Sequence, residues 1–224
     1  MADDDKRVLI LGASRGIGLG LAGEFARRDW RVTATERSHS SALHALGGVE
    51  VVRADVTDPE SYAALDFAPG SLDAIVINAG ISGAPHQSAD RATGDEVAEV
   101  MMTNAFGPVR AGRALLPTLR DGGTLAFMSS LMGSVADSSG GYELYRASKA
   151  ALNMLAKGVA EQDAKRRGIA VRVLHPGWVQ TDMGGANATL TVAQSVTGLA
   201  DVLEASAGGP GFRFVDYTGK DLPF

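Results

Sequence analysis

Seven short apolar runs alternate with longer helix-like stretches along this chain. The runs are rich in branched side chains and show almost no polar alternation, which is typical of strands buried on both faces of a sheet. They lie at 7–11, 31–35, 50–53, 73–77, 124–128, 169–174 and 212–215. Apolar residues at helical spacing predict helices at 17–28, 94–119, 142–167 and 191–205. This alternation predicts a single doubly wound α/β domain, in which a seven-stranded parallel sheet carries helices on both faces.

The composition fits one domain with a substantial core. The chain has 224 residues, of which 45% are hydrophobic and 21% charged, so it is neither disordered nor fibrous. We expect one domain over residues 1–224, with the acidic stretch 1–6 as a disordered N-terminal segment rather than a signal peptide. The absence of Cys excludes a disulfide scaffold, a thiolate metal site and a Cys nucleophile.

The charge balance narrows the possible partners. Against 26 Asp and Glu stand 21 Lys and Arg, which gives a net charge of −5 at pH 7. A nucleic-acid binder would show a basic patch or stripe, and no stretch of this sequence is long and apolar enough to span a bilayer. We therefore expect a cytoplasmic protein without a nucleic-acid or membrane partner.

A glycine-rich loop connects the first predicted strand to the first predicted helix. It runs Gly12, Ala13, Ser14, Arg15, Gly16, Ile17, Gly18. By itself such a pattern is weak and also fits a tight turn. Between a strand and a helix, however, glycines let the backbone approach a pyrophosphate, and the helix N-terminus supplies free N–H groups. The position therefore predicts dinucleotide binding.

Two further loops fit the same ligand. Asp55, followed by Val56, comes directly after the third strand, where its carboxylate could accept from an adenine amino group; a helix cap or turn is the alternative. Asn78, Ala79 and Gly80 end the fourth strand, at the edge where open α/β sheets bind ligands, although an ordinary Asn–Gly turn has the same composition.

A Tyr and a Lys four residues apart carry the sharpest chemical signal. Tyr145 and Lys149 fall on one face of a predicted helix, within reach of one ligand. A phenol has a pKa near 10, but a neighbouring ammonium and a positively charged nicotinamide would both favour phenolate and lower that pKa. The pair is thus a candidate for acid–base chemistry, with a solvated helix face as the alternative.

Two polar residues complete the candidate site. Ser130 ends the fifth strand, on the same sheet edge as the nucleotide, and its hydroxyl could bind a substrate carbonyl; Ser129 competes, but successive strand residues point to opposite faces. Asn104 lies inside a predicted helix, where Asn is not a favoured residue, and either has a special role or faces solvent.

In order and spacing, these motifs resemble those of the short-chain dehydrogenases/reductases. Together with the stretch from His175 to Thr181, the resemblance runs nearly end to end and is nearest to the C-factor-like oxidoreductases. It implies a Rossmann-type fold and hydride transfer between a nicotinamide and a carbonyl or alcohol carbon of a small substrate. Leu11 and Ile77 depart from the family pattern, which has Thr and Asn at these positions.

The resemblance also implies a role for each site residue. Tyr145 would be the general acid/base and Ser130 would polarise the carbonyl. Lys149 would hold the nicotinamide ribose and depress the pKa of Tyr145, while Asn104 would hold a water of the proton relay. The positions implied to hold the nicotinamide follow the sixth strand: Pro176, Gly177, Val179 and Thr181.

The end of the second strand bears on the choice of cofactor. Glu36 suits the ribose 2′-OH of NAD, whereas Arg37 and Arg15 suit the 2′-phosphate of NADP. Glu36 would repel that phosphate unless it is turned aside or paired with Arg37. We expect two cations to outweigh one carboxylate, so NADP(H) is favoured over NAD(H).

The remaining expectations concern metals, partners and alternatives. His39, His44 and His86 show no spacing that builds a metal site, so no metal is expected, and His175 is expected to be a hydrogen-bonded structural residue. By the resemblance, the chain would form a homodimer or homotetramer. A nucleotide-binding regulatory protein without turnover is the alternative function, but it has no need of a Tyr–Lys pair. Few residues separate Thr181 from the last helix, which predicts a shallow, open pocket.

Overall fold

A computed structural model describes residues 6–224 and contains one seven-stranded sheet. The strands are β1 (Arg7–Leu11), β2 (Arg31–Glu36), β3 (Val49–Arg53), β4 (Leu72–Ile77), β5 (Leu119–Met128), β6 (Ala170–His175) and β7 (Gly211–Asp216). All pairs are parallel, in the order β3-β2-β1-β4-β5-β6-β7. The predicted fold class, a Rossmann-type parallel sheet, is confirmed.

Helices cover both faces of this sheet. They are α1 (Gly16–Arg27), α2 (Ser41–His44), α3 (Pro59–Ala63), α4 (Gly94–Met101), α5 (Gly107–Leu115), α6 (Glu143–Val159) and α7 (Val192–Ser206). Leu9 and Leu11 of β1 lie in one core cluster with residues of α5 and α6, whereas Val8 and Ile10 lie in a second cluster with residues of α1 and α7. Alternate strand side chains thus fill two cores, which explains the continuous apolar runs.

The predicted helix 94–119 is divided. A π-helical segment, Met102–Phe106, separates α4 from α5, and the 3₁₀ turn Leu116–Thr118 leads into β5 at Leu119, five residues earlier than the apolar run indicated. Pro108 follows the π-helical segment and has no N–H for the α-helical bond to residue 104, which favours this irregularity. The early part of β5 is polar and partly exposed, so it has no apolar signature.

The predicted helix 142–167 is divided as well. After α6 the chain continues through a π-helical segment, Ala160–Ala164, and a 3₁₀ turn, Lys165–Arg167. Gly168, at φ +63°, then ends the helical stretch in the left-handed conformation that favours glycine. The short helices α2 and α3 carry too few residues for a periodic signal and are absent from the prediction.

The chain's beginning falls largely outside the described range. Of the expected disordered segment 1–6, residues 1–5 lie outside the described residues, and Lys6 accepts a hydrogen bond at its carbonyl from the Arg31 amide at 2.8 Å. Across residues 6–224, no helix is both long and apolar enough to cross a membrane.

Candidate active site

The glycine loop lies at the carboxyl ends of β1 and β4 and leaves no room for side chains at Gly12 and Gly18. Gly12 has φ +87°, and a Cβ there would lie 2.8 Å from the Ala79 backbone. A Cβ on Gly18 would collide with the carbonyl of Gly12 and lie 2.6 Å from the Asn78 side chain. The Asn78 amide donates to the Gly12 carbonyl at 2.7 Å. The two loops therefore hold each other, and α1 starts tightly against the sheet.

The start of α1 is suited to an anion. Arg15 is its N-cap but makes no side-chain cap bond, and the first turn has no acidic residue. The orphan N–H groups of that turn, together with the helix dipole, favour a phosphate. Ser14 lies beside this turn, where its carbonyl accepts from Ser40 Oγ at 2.6 Å, and Ile17 packs on the α1–α7 core. The cradle fits the pyrophosphate of a dinucleotide.

Tyr145 and Lys149 lie together on α6, as their spacing indicated. Lys149 Nζ is 5.6 Å from the centre of the Tyr145 ring and donates to the Met128 carbonyl at 2.8 Å. The Ser130 hydroxyl lies close enough to the Tyr145 phenol to lower its pKa. Gly80, in the loop after β4, packs next to this group, since a Cβ there would lie 3.4 Å from Lys149 Nζ. A phenol, a hydroxyl and an ammonium thus converge at one sheet edge.

Burial controls the pKa values of this pair. It raises the pKa of Tyr145 to about 12, although the Ser130 hydrogen bond acts in the opposite direction. Burial also lowers the pKa of Lys149 to about 8. The sequence predicted a lowered pKa for Tyr145, and the protein alone shows the reverse, because desolvation of the phenolate outweighs the neighbouring groups.

Ser130, rather than Ser129, faces the phenol. The Ser130 hydroxyl accepts from the Met132 amide at 3.2 Å and contacts Tyr145. Ser129 points the other way, where its hydroxyl donates to Asn153 Oδ1 at 2.6 Å in the interior. The alternation of strand side chains explains why adjacent serines have different surroundings.

Asn104 is fully buried inside the π-helical segment. Its Oδ1 accepts from the Ile81 amide at 2.8 Å, and its Nδ2 donates to the Ile81 carbonyl at 2.8 Å and to Ser148 Oγ at 2.9 Å. Asn104 therefore does not face solvent, which was one of the two alternatives that the sequence left open. Its amide instead joins the loop after β4 to the helix that carries Tyr145.

A second group, which we call the adenosine end, comprises Glu36, Arg37 and Asp55, which lie where β2 and β3 finish, and Arg15 of the glycine loop. Glu36 turns away from the cleft, since its Oε2 accepts from the Ser40 amide at 2.6 Å and its Oε1 lies 3.0 Å from His44 Nε2. The His44 and Ser40 hydrogen bonds lower the pKa of the Glu36 carboxyl. The sequence left two ways for Glu36 to tolerate a 2′-phosphate, turning aside or pairing with Arg37. In the structure Glu36 is turned aside.

The cations of the adenosine end are highly exposed. Arg37 Nη1 lies 3.9 Å from Asp55 Oδ2, and Arg15 Nη1 donates to Asp182 Oδ2 at 2.9 Å. Asp55 also accepts from the Thr57 amide and hydroxyl, which is the turn arrangement considered as its alternative. Val56, next to it, is buried.

The histidines depart from expectation. Glu36, His39 and His44 offer ligand atoms that all lie within 4.8 Å of one another, although their spacing along the chain predicted no cluster. The loop after β2 folds back into α2 and brings the two rings to 4.6 Å. His175 also differs: its Nδ1 is buried without a hydrogen-bond partner, and burial lowers its pKa to about 4.

The loop after β6 lies beside the glycine loop. Gly177 has φ +83° and is crowded by Leu190, so that the chain turns sharply after Pro176. Val179 pairs with Leu190, and Thr181 Oγ1 accepts from the Gly184 amide at 3.1 Å. A Cβ on Gly16 would lie 3.4 Å from the Thr181 side chain, which places this loop next to the glycine loop.

The rim of the site is open. Trp178 and Met183 are each 53% exposed. Two residues near Tyr145 are not among those that the sequence motifs single out. Ser148 donates to the Tyr145 carbonyl at 2.8 Å, and Gln87 Oε1 accepts from the Tyr145 amide at 3.1 Å. The spacing of Ser148 on the helix was available as a signal, whereas Gln87 lies in a loop without periodicity.

Comparisons with known proteins agree with this geometry. The family model for short chain dehydrogenase matches residues 6–190. The chain is 40% identical over 164 residues to the C-signal protein of Myxococcus xanthus, covering 72% of this chain and 98% of that protein.

Two solved structures are similar over nearly the whole chain. A Burkholderia multivorans protein described as a short-chain dehydrogenase/reductase with bound NADP has a TM-score of 0.92 and 35% identity, covering 98% of this chain and 100% of that one. A carbonyl reductase of Pseudomonas aeruginosa in complex with NADP has a TM-score of 0.89 and 38% identity, covering 99% of this chain and 100% of that one.

Proposed function

Because this chain belongs to the short-chain dehydrogenase family and is an NAD(P)-dependent oxidoreductase, we propose that it reduces the carbonyl group of a small aldehyde or ketone, or oxidises the corresponding alcohol. The observation that carries the proposal is the contact of the Tyr145 phenol with Ser130, with Lys149 Nζ behind it. The similar carbonyl reductase of Pseudomonas aeruginosa supports the choice of substrate class.

The nicotinamide, when bound, supplies or accepts the hydride. The chain's own residues then place the substrate and move a proton. Ser130 donates a hydrogen bond to the substrate carbonyl, and Tyr145 Oη gives its proton to that oxygen as negative charge develops there. The Tyr145 phenol is protonated at neutral pH, and burial raises its pKa further, which suits a general acid in the direction of reduction.

Lys149 and Asn104 support this step. With its pKa near 8, Lys149 is largely protonated at pH 7, so its ammonium can bind ribose hydroxyls and stabilise charge on the tyrosine oxygen. Asn104 would hold a water of the relay and is fixed by its bonds to Ile81. Pro176, Gly177, Val179 and Thr181 would hold the nicotinamide from the loop after β6.

We further propose that NADP(H) is preferred over NAD(H). The Glu36 carboxylate is engaged by Ser40 and His44, which weakens both its repulsion of a 2′-phosphate and its ability to accept from a 2′-OH. Arg37 and Arg15 remain exposed, and guanidinium groups suit phosphate. The two similar structures that contain NADP support the same assignment.

A regulatory protein without turnover is not favoured. Such a protein needs a nucleotide cradle, but it has no use for Ser130, Tyr145 and Lys149 in contact. We also propose assembly into a homodimer or homotetramer through the helices next to the site. Phe106 and Met154, which are 41% and 73% exposed, support an apolar contact there.

A panel of aldehydes and ketones, tested with NADPH and NADH in parallel, examines the function directly. We expect oxidation of NADPH with several small carbonyl substrates and a higher kcat/KM with NADPH than with NADH. Failure to turn over any carbonyl or alcohol with either cofactor would overturn the proposed activity. An equal or higher kcat/KM with NADH would overturn only the cofactor preference.

A further inference from the structure

The helix that carries Tyr145 begins without a capping side chain. Tyr142 occupies the N-cap position of α6, has φ +48° and makes no side-chain cap bond. Gly140 and Gly141 before it also have positive φ, at +80° and +68°. The first-turn N–H groups of a helix need partners from elsewhere when the cap residue supplies none.

Gln87, in the loop between β4 and α4, supplies two of these partners. Its backbone carbonyl accepts from the Glu143 amide at 2.9 Å, and its side-chain Oε1 accepts from the Tyr145 amide at 3.1 Å. The same contact is reinforced by Glu143, whose carboxylate accepts from the Ala89 amide at 2.6 Å. The loop between β4 and α4 thus accepts the hydrogen bonds that a capping side chain would otherwise accept. One of these hydrogen bonds comes from the backbone N–H of Tyr145 itself.

Gln87 is held firmly in this position. Its Nε2 donates to the carbonyls of Ser82 at 2.6 Å and Ala84 at 2.8 Å, so both ends of the side-chain amide are used. Its backbone is left-handed, with φ +52°, which is unusual for a residue with a side chain and is maintained by these bonds. The amide can therefore neither rotate nor withdraw without losing a partner.

The backbone carbonyl of Tyr145 is connected to the same loop through a chain of hydrogen bonds. The Tyr145 carbonyl accepts from Ser148 Oγ at 2.8 Å, and Ser148 Oγ accepts from Asn104, which binds both polar backbone groups of Ile81. The N–H and the carbonyl of Tyr145 are thus both anchored to the stretch 81–87. This hydrogen-bond network fixes the backbone of Tyr145, from which the phenol extends toward Ser130.

We propose that Gln87 is a positioning residue of the reaction, which sets the place of Tyr145 by replacing the absent cap of α6. The inference rests on the proposed function, because it assumes that Tyr145 transfers the proton. Displacement of a reacting group by about 1 Å can cost on the order of 100-fold in rate, so loss of such an anchor affects turnover more than cofactor binding.

The test uses Gln87→Gly and Gln87→Glu in the full-length protein. Glycine accepts positive φ without strain, so Gln87→Gly removes the side-chain bonds while relieving the backbone, and its melting temperature stays near that of the wild type. Gln87→Glu keeps an acceptor for the Tyr145 amide but places a carboxylate oxygen, instead of the Nε2 donor, against the Ser82 and Ala84 carbonyls. Gln194→Ala is the matched control, since Gln194 caps α7, which carries none of the proposed reacting groups.

We expect Gln87→Gly to lower kcat by about tenfold or more, with an unchanged Kd for NADPH and an altered pH profile of kcat. Gln87→Glu should lower kcat as well, because its carboxylate is repelled by the Ser82 and Ala84 carbonyls and cannot hold the Tyr145 amide in place. Hydrogen exchange at the Tyr145 amide should be faster in Gln87→Gly, because its acceptor is gone. Gln194→Ala should lower the melting temperature and leave kcat unchanged.

Two results would overturn the inference: a kcat for Gln87→Gly within twofold of the wild type, or a loss of activity that disappears when turnover is expressed per folded molecule. Failure of the proposed function has a different signature. In that case Tyr145→Phe, run in the same series, would retain wild-type turnover, and the assumption beneath this inference would fail with it.

Discussion

The two ends of the candidate cofactor cleft differ most in exposure. At the catalytic end, Asn104 is fully buried and Lys149 is 3% exposed. At the adenosine end, the side chains of Arg15 and Arg37 are 77% and 72% exposed. The first group is held by hydrogen bonds to backbone on several elements, whereas the second forms ion pairs across open loops.

This difference follows from what each end has to do. Proton transfer requires groups that are fixed within tenths of an ångström and shielded from water, so that their interactions are strong. Binding a phosphate requires only positive charge within reach, and exposed ion pairs contribute little to stability, so they exchange partners easily. We therefore expect changes at the catalytic end to reduce turnover and changes at the adenosine end to alter cofactor preference.

The largest effect is expected for Tyr145→Phe. Removal of the phenolic hydroxyl eliminates the proposed proton donor, and kcat should fall by about 1,000-fold. The Kd for NADPH, measured by fluorescence, should stay within about twofold. Tyr142→Phe is the matched control, since Tyr142 lies three residues away and is 63% exposed. A fall of similar size in the control would contradict the assignment.

Lys149→Met should reduce kcat/KM by about 100-fold and also change the pH dependence of stability. Burial lowers the pKa of Lys149 from 10.5 to about 8. Between these values the unfolded chain binds the proton more fully, so the free energy of unfolding rises with pH, by about 3 kcal/mol in total. From pH 10 upward the raised pKa of Tyr145 opposes this rise, because the unfolded phenol ionises first.

Chemical unfolding between pH 7 and pH 10 measures this effect. We expect the variant to lack the rise and to be more stable than the wild type at pH 7 in the absence of cofactor. Lys157→Met, on the exposed side of the same helix, serves as the control. An unchanged slope in Lys149→Met would show that Lys149 is not the group responsible.

A smaller effect is expected for Arg37→Ala. Loss of one guanidinium from the adenosine end should raise the KM for NADPH by about tenfold, which corresponds to about 1.4 kcal/mol, while kcat and the KM for NADH change little. Steady-state kinetics with both cofactors measure this. Arg213→Ala is the control: it removes an exposed cation that pairs with Asp221, away from the adenosine end. It should change neither the KM for NADPH nor the KM for NADH. Equal losses with NADH and NADPH would argue against phosphate recognition.

The smallest effect is expected for His44→Ala. Without the His44 contact the Glu36 carboxylate is freer to reach a ribose 2′-OH, so kcat/KM should shift from NADPH toward NADH by about threefold. His86→Ala removes a comparable His–Glu contact, to Glu96, away from the adenosine end. An unchanged cofactor ratio in His44→Ala would mean that Glu36 stays turned aside without its partner.

The sheet and the reacting groups could be predicted because their signals are local. Continuous apolar runs such as 73–77 mark strands buried on both faces, and a Tyr and a Lys four residues apart share a helix face regardless of what surrounds them. The glycine spacing is likewise a local signal, since Gly12 and Gly16 have the positive φ that the turn between β1 and α1 requires. Hence the seven parallel strands and the resemblance were both available from the chain alone.

Other features depend on contacts between distant residues. The polar start of β5 becomes a strand only because Leu119 pairs with Leu72, and the π-helical segment places the Asn104 amide against Ile81. The cluster of Glu36, His39 and His44 forms because a loop folds back on β2. No periodic pattern marks any of these.

The order of residues along the chain is thus enough to predict the parallel α/β fold and the chemical identity of the groups at the sheet edge. How those groups are held depends on the folded chain, in which burial raises the pKa of Tyr145, Ser40 and His44 engage the Glu36 carboxylate, and Gln87 binds the Tyr145 amide. Desolvation and hydrogen bonding depend on which atoms surround a group in space, and residues far apart in the chain supply those atoms.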